Sequence, residues 1–111
     1  MPTVEESFRR LTIGDSAILD AMSVSGPDAP GLRHPDARTE ALLRIAALIA
    51  IDAPPTSYTV VVAAALRAGA RLEDLLAVLT AVVGTVGSAR VISAAPRIAL
   101  AAGYDVEAAL E

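Results

Sequence analysis

Between Asp36 and Gly103 the chain alternates aliphatic stretches at helical spacing with short breaks of proline and glycine, and this punctuation constrains the fold more than any other feature. Asp36 is an N-cap residue, and Leu42, Ile45, Ala46 and Ile49 behind it fall on one helical face. Asp52-Ala53-Pro54-Pro55 ends that helix, and a proline in the first turn suits the start of the next, expected over 56–68 and closed by Gly69. A third helix is expected over 72–83. Gly84 and Gly87 mark a turn, and Ser88 caps a helix reaching Ala102 that Pro96 should bend or interrupt. Gly103 closes it, and Asp105 caps a final short turn.

Ahead of this region, Thr3-Val4-Glu5-Glu6 reads as a capping box for a short helix to about Leu11. Gly14-Asp15 begins a second short helix over 16–22, and Gly26, Pro27, Pro30, Gly31 and Pro35 make 23–35 a loop. The competing reading is strand, because Thr59-Val60-Val61-Val62 and Val82-Val83 are β-branched. Their neighbours, Ala63 to Ala68 and Leu75-Leu76-Ala77, are helix formers in runs too long for an ordinary strand. The expectation is therefore all-α: antiparallel helices with short loops, in one structural domain whose short N-terminal helices and loop (1–34) precede the main helical region (35–111).

Composition sets the limits on function. The 111 residues contain no Cys and one His, which excludes disulfides, thiol redox chemistry, thiolate metal sites and a histidine cluster. The formal net charge is −4 and all nine basic residues are scattered Arg, so nucleic acid is not an expected partner. Asp52 and Arg67 end the longest apolar runs well short of a membrane span, and the acidic, polar start does not resemble a signal peptide. A cytoplasmic location is the expectation. Hydrophobic residues make up 54% of the chain and aromatics 3%, an aliphatic content larger than one small core needs. The surplus predicts a homo-oligomer, with Val82, Val83, Val86, Val91, Ile92 and Ile98 as the contact residues.

Several short segments, in order, carry a family resemblance. Pro35-Asp36-Ala37-Arg38-Thr39, Ala65-Leu66-Arg67-Ala68-Gly69-Ala70, Glu73-Asp74-Leu75 and Val86-Gly87 are similar to the helix openings and turns of the carboxymuconolactone decarboxylase / alkylhydroperoxidase D-like family, over roughly 35–103. The resemblance implies an alkylhydroperoxidase D-like helical bundle and assembly into trimers or hexamers. It also implies where the family's chemistry would sit. Counting back from Gly69 puts the redox branch's Cys, Cys and His at Pro54, Ser57 and Val61, and the decarboxylase branch's Glu and His at Ser57 and Val61. The family's upstream Glu falls at or beside Ala41, with Glu40 adjacent but turned by about 100°.

The residues left as catalytic candidates are Glu40, Arg44, Ser57 and Tyr58. Glu40 and Arg44 are spaced for an ordinary surface ion pair, or Glu40 could face an apolar cleft as a general acid or base. Ser57 needs a base to become a nucleophile, and the only His, His34, is distant in sequence. The plainer reading has Ser57 satisfying first-turn amides and Tyr58 packing with its hydroxyl wet. Asp52 is expected to cap the following turn or helix, because a carboxylate is disfavoured at a helix C-terminus. Glu73 and Asp74 are explained by the dipole at a helix start, and His34 by a solvated loop, with only Asp28 and Asp36 near enough in sequence to share a metal. No cofactor or metal is expected. Two readings stand: a homo-oligomeric binding or accessory protein without thiol redox chemistry, or a non-redox enzyme (decarboxylase, isomerase or lactone-processing) acting on a small organic acid.

Overall fold

A computed structural model describes residues 3–23 and 32–104, and these are all-helical, with no strand among them. The chain divides into two compact units, Met1–His34 and Pro35–Glu111.

The first unit holds α1 (Val4–Thr12) and α2 (Ser16–Ser23). Thr3 Oγ1 accepts from the Glu6 amide at 3.1 Å, which is half of the expected capping box. The Glu6 carboxylate does not reach back; it takes Arg10 at 3.1 Å instead, because the i,i+4 guanidinium offers a charge. Of the expected 23–35 loop, residues 24–31 fall outside the described part, as does the final turn at Asp105.

The second unit holds α3 (Ala37–Ala50), α4 (Pro55–Arg67), α5 (Leu72–Val86) and α6 (Ser88–Ala101). Asp36 caps α3 by accepting from the Thr39 amide at 2.8 Å, and that bond holds its carboxyl below the usual range. Each helix buries one stripe at helical spacing: Ala41, Ile45 and Ile49 on α3, Tyr58, Val62 and Ala65 on α4, Leu75 and Leu79 on α5, Ala94 and Ile98 on α6. The stripes meet in one core. α3 and α6 each touch the other three helices, whereas α4 and α5 stand apart on opposite sides of them. No described helix is long and apolar enough to cross a membrane.

Three details depart from the sequence reading. Gly84 is not a turn residue: α5 runs through it to Val86, because Val82 and Val86 still pack on the core and outweigh the modest cost of one glycine in a helix. The break comes at Gly87, whose φ of 91° and ψ of 156° suit only glycine, and which also takes the N-cap place expected of Ser88. Of the two outcomes expected at Pro96, a bend or a break, the break does not occur: α6 is continuous from Ser88 to Ala101. Its ring removes one amide, and the carbonyl this leaves without an i+4 donor belongs to Ile92, which is 72% exposed and on the solvent side.

The expected contact residues also divide. Ile98 belongs to the core, and Val82, Val86 and Val91 are half-buried against it, so only Val83 and Ile92 remain exposed. These four face inward because each shares the core side of its helix with Leu79 or Ala94.

Candidate functional site

Three of the four helices in the second unit, α3, α4 and α6, close with the same paired main-chain bonds, and one of the three differs in the residue it uses. α4 and α6 stop at Gly69 and Gly103, both at positive φ, with paired main-chain bonds closing the last turn: Gly69 N to Leu66 O and Ala70 N to Ala65 O, Gly103 N to Leu100 O and Tyr104 N to Ala99 O. α3 closes identically, Asp52 N to Ile49 O at 3.2 Å and Ala53 N to Leu48 O at 3.0 Å, but the residue at positive φ (51°) is Asp52. It is the one non-glycine residue in that region among those described. In this region a residue with a Cβ costs about 1–2 kcal/mol more than glycine, a penalty eased where a short polar side chain finds local partners.

Those partners come from α6. Ser93 Oγ donates to Asp52 Oδ1 at 3.0 Å, and Arg97 Nη1 stands 3.5 Å from the same oxygen. Arg97 Nη1 also donates to the Ala53 carbonyl at 2.6 Å. Asp52 therefore does not cap the following turn with its side chain, as the sequence suggested. It stays at the C-terminal end of α3 because the Arg97 charge and the Ser93 hydroxyl offset the unfavourable dipole.

Tyr58, one turn into α4, is fully buried, the largest such side chain in the core, and its hydroxyl has no hydrogen-bond partner. Burial pushes its phenol above the ordinary tyrosine range; Arg97 acts in the opposite sense and Asp52 adds to the rise. The hydroxyl thus lies in the field of the Asp52–Arg97 pair. The expectation of a wet hydroxyl is corrected: the ring fills the core between the α3 and α6 stripes and carries its oxygen inside with it.

The other candidates disperse. Glu40 Oε1 pairs with Arg44 Nη2 at 2.7 Å on the surface of α3, with the arginine side chain 56% exposed. Ser57 lies half-buried in the first turn of α4, where its amide bonds the Pro54 carbonyl at 3.1 Å. None of Glu40, Arg44, Ser57 and Tyr58 lines the α5–α6 groove or the depression beside Asp52. Asp74 does more than answer a helix dipole. Its Oδ2 accepts from the Arg71 amide at 2.8 Å and its Oδ1 pairs with Arg38 of α3 at 3.0 Å, which together hold its carboxyl below the usual range. His34 is half-buried, not fully solvated, and its Nε2 is buried without a partner. Among the described residues no three His, Cys, Asp or Glu side chains are placed to hold a metal.

Sequence reasoning passed over Ser93 and Arg97. The signal was present: Arg90, Ser93 and Arg97 are spaced i, i+3, i+7, a polar stripe along an otherwise aliphatic helix.

The second feature is a groove of about 740 Å³ between α5 and α6. Leu72, Leu76 and Leu79 form one wall, Ala95, Pro96 and Ala99 the other, with Arg71, Glu73 and Tyr104 at one end. Arg71 is already paired with Glu73 at 2.7 Å, so the groove itself offers no free charge. Two of its wall residues are well exposed, Leu72 at 50% and Leu76 at 63%, and α6 also exposes Ile92 and Leu100, which do not line it.

Comparison with protein-family models, with curated proteins and with solved structures finds no match to this chain.

Proposed function

We propose that this chain is a cytoplasmic, self-associating helical protein that serves as a binding or accessory module, without thiol redox chemistry. The observation that carries the reading is the apolar surface of α5 and α6, where a groove of about 740 Å³ is lined by exposed Leu72 and Leu76, and Ile92 and Leu100 are exposed elsewhere on α6. Aliphatic surface of this kind marks an interaction site, and obligate self-interfaces are the most apolar class. Covering those four side chains is worth on the order of 4–7 kcal/mol before the cost of association, and filling the groove adds to it. The resemblance over roughly 35–103 supports an alkylhydroperoxidase D-like bundle assembled as a trimer or hexamer. The absence of Cys removes that family's thiol chemistry.

A non-redox enzyme using Glu40 as acid or base draws less support, since Glu40 is engaged by Arg44 and lines neither the α5–α6 groove nor the depression beside Asp52. Sedimentation velocity at low micromolar concentration tests the reading: one defined oligomer is expected. A stable, soluble monomer there refutes it.

A further inference from the structure

A depression of about 270 Å³ lies on the flank of α6 that faces the α3–α4 corner, away from the apolar face. Asp52, Ala89, Arg90 and Ser93 line it. At about 30 Å³ per water, it has room for roughly six heavy atoms of a small solute with part of its hydration.

Its chemistry is two-signed. Arg90 has no ion pair among the described residues, so its planar fork of donors is free to take a carboxylate. Asp52, which lines the same depression, spends only Oδ1 on Ser93 and Arg97; Oδ2 accepts no hydrogen bond from a described residue. An open donor fork and an open carboxylate oxygen thus border one depression. The acceptor is also held in place: Asp52 sits at φ 51° in the closing turn of α3, and Ser93 and Arg97 fix its carboxylate from α6. A plain anion would answer Arg90 and be repelled by Asp52. A plain cation would do the reverse.

We propose that this depression binds a small carboxylate carrying a hydrogen-bond donor next to its carboxyl group, a 2-hydroxy acid or a 2-amino acid. The carboxylate lies on the Arg90 guanidinium, and the hydroxyl or ammonium donates to Asp52 Oδ2. The site goes beyond the self-association reading and does not depend on it, because it uses the opposite flank of α6.

The test is a titration of the full ¹⁵N-labelled chain with lactate, alanine and propionate, followed by amide chemical shifts. Lactate or alanine, at least one of them, moves the Ala89, Arg90 and Ser93 amides with saturation at millimolar concentration. Propionate, which lacks the donor, binds at least about tenfold more weakly, the loss expected when a charged hydrogen bond goes unmade. Arg90→Gln, at an exposed position that leaves the core untouched, removes the saturable shifts while the rest of the spectrum stays in place. Saturation by neither lactate nor alanine, equal binding of propionate, or an unchanged response in Arg90→Gln would overturn the assignment.

Discussion

Arg97 Nη1 stands 2.6 Å from the main-chain oxygen of Ala53, 44 positions earlier in the chain, and so ties α6 to the turn that joins α3 to α4. A hydrogen bond from a charged donor is worth about 1.5–3 kcal/mol when shielded, and this guanidinium is 30% exposed. Arg97→Met keeps most of the aliphatic stem and should cost about 1–2 kcal/mol in urea unfolding. At its partner, Asp52→Gly should be more stable than Asp52→Ala by about 1 kcal/mol, because only glycine accepts the φ of 51° freely. Equal stability of the two variants would mean that the turn relaxes out of the left-handed region.

Tyr58→Phe removes a hydroxyl that is buried without a partner. An unsatisfied group carries its desolvation cost, about 1–3 kcal/mol, so the variant is expected to match or exceed the parent in stability. Tyr58→Ala, which empties the centre of the core, should cost about 3–5 kcal/mol. A clear loss in Tyr58→Phe would show that the hydroxyl is hydrogen-bonded in solution.

The pH profile should fall at both ends for different reasons. Asp36 and Asp74 have folded pKa values depressed below 3.8 by the Thr39 and Arg71 amides, so their contribution is complete above that pH and is lost as pH drops through the folded values. Tyr58 is shifted upward from 10.0, so its contribution is complete below that pH and fades as pH rises through the folded value. Asp36→Asn keeps a capping oxygen without a titrating proton and should flatten the acid limb of a thermal-unfolding series. In a Tyr104→Phe background, absorbance at the phenolate band should show Tyr58 ionising only above pH 10.0.

Leu76→Arg puts a charge on the wall of the α5–α6 groove at a position already 63% exposed, so the core should be untouched. The variant is expected to keep its helical spectrum and to sediment as a smaller species than the parent. An unchanged oligomer would place the contact surface elsewhere.

Gly84 and Gly87 should respond oppositely to alanine. Gly84 lies inside α5 with open space where a Cβ would go, so Gly84→Ala should stabilise by about 0.5–1 kcal/mol. Gly87, at φ 91°, should lose about 1–2 kcal/mol in the same exchange. Both are readable from thermal midpoints.

The same pair shows how far the sequence could be read. Helix starts were legible at Asp36 and Pro55, and the stop at Gly69, because caps and closing turns are local chemistry. Gly84 was misplaced because a glycine looks alike in a turn and in a helix; what decides is the packing of Val82 and Val86, which no local rule contains. The site was less legible than the fold. Glu40 and Arg44 are neighbours on one helix and announce themselves, but the Asp52–Arg97 contact joins residues 45 apart, and spacing along one helix cannot reveal it. Tyr58 was singled out for its place near the start of α4, yet its burial follows from sharing a face with Val62 and Ala65.

The proline within α6 has a dynamic consequence. Without an amide at Pro96 the ladder of main-chain bonds lacks one rung, so the segments before and after it need not open together. The later one is pinned through Arg97 to Ala53, whereas the earlier one begins at Gly87 with no side-chain cap. Amide hydrogen exchange should therefore run from the Gly87 end: the protons of Val91 and Ile92 are lost in brief local openings, while those of Ile98 and Ala101 wait for the core itself to come apart.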